Sequence, residues 1–140
     1  MHDPAKIDKP LIRVIDDDDA MRNSWAFLIE GEGWDVKTYA DAITFLSSND
    51  YIRPGCLLLD VRMPHMSGLE LQLKLREAGC DLPIIFISGH GDIDMAVKTM
   101  KDGADDFLSK PVTPERLLDA IEKAVKRDAR IRTESAALEQ

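Results

Sequence analysis

Gly55-Cys56-Leu57-Leu58-Leu59-Asp60 is a short uncharged run closed by a carboxylate, and it decides how the rest of the chain is read. A run this short, apolar at both alternating sets of positions, fits a strand covered on both faces of a sheet. Leu11 to Ile15 reads the same way and ends in Asp16-Asp17-Asp18-Asp19, while Pro83 to Ile87 ends at Ser88 and Gly89. Residues 35 to 39 and 105 to 109 complete a set of strands.

Helical patterns lie between these runs. Met21, Trp25, Leu28 and Ile29 share one face, as do Ile93, Ala96, Val97 and Met100, and later Leu117, Leu118, Ile121, Ala124 and Val125. Asp19, Asp41, Asp92 and Thr113 stand where N-caps belong, Pro114 suits a first helical position, and Gly31, Gly79 and Gly103 fall near helix ends. Strands alternating with helices describe an α/β fold: a doubly wound, five-stranded parallel sheet with five helices and right-handed crossovers. No internal repeat is evident.

The chain has 140 residues, 44% hydrophobic and 31% charged, enough apolar material for one globular core. Its formal charge of −8 argues against direct binding to a nucleic-acid backbone. Met1 to Pro10 is polar, contains two prolines and lacks the apolar centre of a signal peptide, and no later stretch reaches the ~18 apolar residues of a membrane span. A cytoplasmic protein is expected, with no membrane association and with Cys56 and Cys80 as reduced, structural thiols. Residues 1–10 read as a disordered leading segment, 11–127 as the domain, and 128–140 as a linker or C-terminal extension, because helical periodicity fades after Val125. The basic stretch Lys123 to Arg132 is interleaved with acids and reads as a solvated linker helix.

Parallel sheets bind ligands at the carboxyl ends of their strands. Those ends carry Asp16 to Asp19, Asp60 and Ser88, with Lys110 just past the last strand. Carboxylates gathered at one strand end repel one another unless a cation neutralises them, so Asp16, Asp17 and Asp60 point to a hard divalent metal, Mg2+ first. Octahedral oxygen ligation leaves room for a phosphate oxygen, which suits attack by a carboxylate on phosphorus. The Ser88 hydroxyl and the Lys110 ammonium would hold the other phosphate oxygens.

Val14-Ile-Asp-Asp-Asp-Asp-Ala-Met-Arg22, Leu59-Asp-Val-Arg-Met-Pro-His-Met-Ser-Gly68, Ile87-Ser-Gly89 and Gly103-Ala-Asp-Asp-Phe-Leu-Ser-Lys-Pro111 resemble the signatures of two-component response regulator receiver domains, over about Leu11 to Arg127. The resemblance implies the flavodoxin-like fold of such receivers, Asp60 as phosphoacceptor, Asp17 as a direct metal ligand, Asp16 as a ligand through water and the Arg62 carbonyl as a further ligand. Ser88 and Lys110 then bind the phosphoryl group. Ser88 and Phe107 take the places of the switch pair, where Thr and Tyr are commoner. The same likeness implies a cis Lys110–Pro111 bond, and an influence of Arg62 and His90 on the lifetime of the phosphoryl group. In the loop Met63 to Gly68, Gly68 is expected to ease a backbone turn and Pro64 to limit it.

Ile87-Ser-Gly-His-Gly-Asp92 is similar to receivers of transcriptional regulators with helix-turn-helix output (FixJ-like or NtrC-like). That similarity implies a sensor histidine kinase as partner, phosphorylation-dependent homodimerisation through residues 92 to 119, and an output domain outside this chain. The role implied is a switch rather than a turnover enzyme. The competing reading is a haloacid dehalogenase-like phosphatase, since Asp16-x-Asp18 or Asp17-x-Asp19 mimics the opening motif of that class.

Overall fold

Strands that are apolar on both sides require cover on both sides, and the winding of the chain supplies it. The computed structural model describes residues 9–89 and 93–138. The elements run β1 (Leu11–Ile15), α1 (Asp19–Gly31), β2 (Asp35–Tyr39), α2 (Ala42–Ser48), β3 (Gly55–Asp60), α3 (Gly68–Glu77), β4 (Ile84–Ser88), α4 (Ile93–Lys101), β5 (Asp106–Ser109) and α5 (Pro114–Leu138). They form one parallel sheet in the order β2-β1-β3-β4-β5, the doubly wound α/β architecture expected from the alternating pattern. Ile12, Val14, Cys56, Leu58, Ile85, Ile87 and Leu108 pack against Trp25, Ile29, Leu117 and Ile121 of α1 and α5. Ile15, Leu57, Leu59, Ile84 and Phe86 meet Phe45, Leu71 and Leu75 of α2 and α3 on the other side. Both cysteines are free, and complete burial pushes the Cys56 thiol up from its ordinary range. No helix among the described residues is long and apolar enough to cross a membrane.

Helix starts follow side-chain chemistry, with one shift. The α1 cap is Asp18 rather than Asp19, its carboxylate accepting from the Met21 N–H at 3.1 Å. Asp41 caps α2 and Thr113 accepts from the Arg116 N–H, as expected, while Asp92 lies outside the described residues. Ser67 and Glu70 add a reciprocal capping box at the start of α3.

Three further departures have physical causes. Arg13 interrupts the apolar β1 run and is nonetheless fully buried; its guanidinium donates to the carbonyls of Leu11, Asp50 and Arg53, and burial lowers its pKa to about 10. A charged side chain is tolerated there because backbone acceptors replace water. In α4, Val97 and Met100 of the expected inward face are 49% and 46% exposed, whereas Thr99 is buried. The helix is turned that way by the Gln72 amide of α3, which donates to the carbonyls of Thr99 at 3.1 Å and Asp102 at 3.2 Å. Finally, α5 does not fade after Val125 but continues to Leu138. Asp128 is buried and accepts from the Gly55 N–H at 3.0 Å and from Arg132 at 2.9 Å, while ion pairs Asp119–Lys123 and Glu122–Lys126 line the outer face.

Gly55 is irreplaceable for steric reasons: its φ is +141°, and a Cβ would stand 1.9 Å from the Leu11 carbonyl oxygen. In urea unfolding, Arg13→Ala and Gly55→Ala should each lose about 3 kcal/mol or more, while Lys123→Ala, which breaks an exposed pair, should cost under about 0.5 kcal/mol. Equal losses in all three would remove the buried network as the explanation.

Candidate functional site

Register assembles the site. Ile15 of β1 stands opposite Leu59 of β3, so Asp16 and Asp60 leave the sheet side by side. Asp60 stands opposite Ile87 of β4, which brings Ser88 one step past it, and Ser88 pairs with Ser109, one residue before Lys110. This is the carboxyl end of the central strands, next to the point where strand order reverses between β1 and β3.

Asp16 is fully buried. Its Oδ1 accepts from the Asp18 N–H at 2.9 Å, and its backbone carbonyl accepts from Arg22 at 2.7 Å. Its Oδ2 has no hydrogen-bond donor, with Lys110 Nζ 3.8 Å away. Asp60 is 8% exposed and accepts from the Arg62 N–H at 3.3 Å. Asp17 is exposed, and one carboxylate oxygen from each of Asp16, Asp17 and Asp60 lies within 4.8 Å of the others. Burial, reinforced by the Asp16 charge, raises the Asp60 pKa to about 6, against the opposing pull of Lys110 and the Arg62 N–H. Three carboxylates, one of them with a buried oxygen lacking a donor, are a donor set that fits a hard divalent cation.

Ser88 is buried at the end of β4, and its carbonyl accepts from the Lys110 N–H at 2.7 Å. The Lys110–Pro111 bond is cis. Lys110 Nζ also lies over the Trp25 ring, 5.6 Å from its centroid, a neighbour on α1 that spacing assigns only to the core face. Phe107 is half-buried on β5, its ring 6.3 Å from that of Phe86. At Gly68 a Cβ would stand 2.4 Å from the Asp60 carbonyl oxygen, so glycine lets α3 start against the end of β3. The positive φ of the loop, +70°, belongs to His65. Arg62 is exposed, and His90 lies outside the described residues. The remaining acids are occupied elsewhere, Asp18 as a cap and Asp19 in an ion pair with Arg22 at 2.5 Å.

The response regulator receiver domain family matches residues 12–122. Response regulator protein TmoT of Ectopseudomonas mendocina is 51% identical over 116 residues, 83% of this chain and 53% of that protein. Transcriptional regulatory protein FixJ of Azorhizobium caulinodans is 43% identical over 118 residues, 84% of this chain and 56% of that one. Among solved structures, response regulator StyR superposes with a TM-score of 0.89 at 43% identity, covering 94% of this chain and 67% of StyR. The FixJ-N crystal structure gives 0.79 at 40% identity, covering 84% and 94%. The chain therefore belongs to the response regulator receiver domains of two-component systems, and it spans about half the length of the curated relatives it matches. The haloacid dehalogenase-like alternative falls away, both on the family match and because Asp18 and Asp19 of its motif are engaged in α1.

A carboxyl whose folded pKa is raised binds more protons folded than unfolded between 3.8 and about 6, so metal-free protein loses stability as pH rises through that window. In a chelator at about pH 7, Asp60→Asn should be more stable than the parent by about 1–2 kcal/mol, and the two should converge below about pH 4. Thermal or urea unfolding across that range checks the sign; an Asn variant less stable at neutral pH would contradict it.

Proposed function

We propose that Asp60 accepts a phosphoryl group from a sensor histidine kinase in a Mg2+-dependent reaction, and that Ser88, Phe107 and the α4–β5–α5 surface pass the change on. The observation that carries this reading is the donorless Oδ2 of buried Asp16, set beside Asp60 and Asp17 with Lys110 at its edge. Asp16, Asp17, Asp60 and the Arg62 carbonyl are the ligands for the cation. When bound, Mg2+ neutralises the carboxylates and absorbs charge that develops on the phosphoryl oxygens.

In the step itself an Asp60 carboxylate oxygen forms the new O–P bond while the bond from phosphorus to the donor breaks, the donor keeping the electron pair. Lys110 supplies a positive charge and Ser88 a hydroxyl to the phosphoryl oxygens. The acyl phosphate is spent slowly by water, which makes the chain a switch rather than a turnover enzyme. Drawing Ser88 toward the phosphate, with Phe107 following inward, shifts the two-state surface around α4. Exposed Val97 and Met100 lie on that surface and supply the apolar centre of a homodimer interface. The chain works in the cytoplasm, without contacting nucleic acid itself. Residues 128–140 lead toward an output domain that controls transcription, in line with the greater length of the relatives and the name of the regulator FixJ.

Radiolabelled acetyl phosphate with Mg2+ should label the parent and Asp18→Asn, and leave Asp60→Asn unlabelled. Label kept by Asp60→Asn would refute the assignment. With a beryllofluoride mimic of the phosphoryl group, sedimentation should show self-association tightened about tenfold or more, on the scale of ordinary coupling free energies. Val97→Asp should cancel the gain, and an unchanged monomer in the parent would dismiss the dimer.

A further inference from the structure

We propose that Trp25 is a positioning residue for Lys110: its indole face holds the ammonium at the edge of the carboxylate cluster, ready for an incoming phosphoryl group. This rests on the phosphotransfer reading above. A lysine side chain has four rotatable bonds and loses about 2 kcal/mol of rotamer freedom when fixed, so something must hold it. Lys110 follows β5 on a connecting loop, and its side chain is 22% exposed. The 3.8 Å between Nζ and Asp16 Oδ2 is an ionic contact but longer than a hydrogen bond. On another side lies the Trp25 ring, 5.6 Å from Nζ to centroid, within the range in which an indole attracts a cation.

The ring is itself immobilised. Trp25 is 8% exposed and belongs to the buried cluster of Ile12, Val14 and Ile29, with Val112, two residues after Lys110, packed against the same cluster. The two attractions also respond differently to loading of the site. A divalent cation on the carboxylates cancels much of the pull of Asp16, while the quadrupole of the indole is unaffected. Trp25 is thus the partner that keeps Lys110 in place when the site is charged and ready.

The test uses the full chain, Mg2+ and acetyl phosphate at varied concentration. Trp25→Leu should lower the labelling rate about three- to tenfold, the size of a partly desolvated cation–π contact. Trp25→Phe should recover part of that loss, and Trp25→Leu should have no effect in a Lys110→Ala background. Parental labelling by Trp25→Leu, or losses that multiply in the double variant, would overturn the proposal even if Asp60 is labelled normally. A parent that is not labelled at all would instead refute the phosphoacceptor reading. The Trp25–Lys110 contact is then judged by fluorescence: with Trp34→Phe as background, Lys110→Met should change Trp25 emission, and an unchanged spectrum would dismiss it.

Discussion

The pairing of β1 with β3 is the constraint on which everything else depends. Once Ile15 is opposite Leu59, two carboxylates must emerge together at one strand end, and one of them, Asp16, is wholly enclosed. The register is pinned at Gly55, because a slip by one residue would put a side chain where only glycine fits against the Leu11 carbonyl. The repulsion between Asp16 and Asp60 is therefore built into the core packing. It is offset in part by the Asp18 and Arg62 N–H groups and by Lys110. A site assembled in this way concentrates negative charge that its own donors only partly offset, which is the electrostatic condition for holding a divalent cation.

Strand β3 links that condition to the rest of the molecule. Asp60 ends it; Gly55 begins it, donating its buried N–H to Asp128 of α5. Asp128 in turn holds Arg132, and Arg127 pairs with Asp105 just before β5, so the turn of α5 around Asp128 is tied to the amino end of the sheet. Direction matters more here than energy. The exposed ion pairs on the outer face contribute little, but the buried Asp128 contact fixes where the helix leaves the sheet.

Much of this is legible in the sequence, and the exceptions share a cause. Strands such as Gly55–Asp60 are uncharged up to the closing residue and announce themselves; so do the acids, serine and lysine at their ends, because sheet topology delivers strand ends to one edge. Arg13 reads as part of an apolar run because its acceptors, the carbonyls of Asp50 and Arg53, lie in a loop remote in sequence. The continuation of α5 is hidden for the same reason, since Asp128 breaks an apolar stripe and its partner is 73 residues away. Trp25 matches a core position and is one, and nothing in its spacing reveals that Lys110 lies over its face. Local pattern shows which residues are buried; it does not show a polar group whose partner comes from elsewhere in the chain.

Helix α4 shows how such a remote partner settles which face a helix buries. Spacing alone places Val97 and Met100 inward, which would lock the helix against the sheet by apolar burial. Instead the Gln72 amide fastens its carboxyl end, Arg76 adds a bond to the Gly103 carbonyl at 3.2 Å, and Thr99 takes the buried position. Polar contacts therefore hold the carboxyl end of the helix, while Met95 near its amino end packs against the core on the α2 and α3 side of the sheet. The amino end begins at Ile93, a few residues past Ser88 of β4. Val97 and Met100 are thus left facing outward because Thr99 takes the buried position, not because either end of α4 lacks contacts.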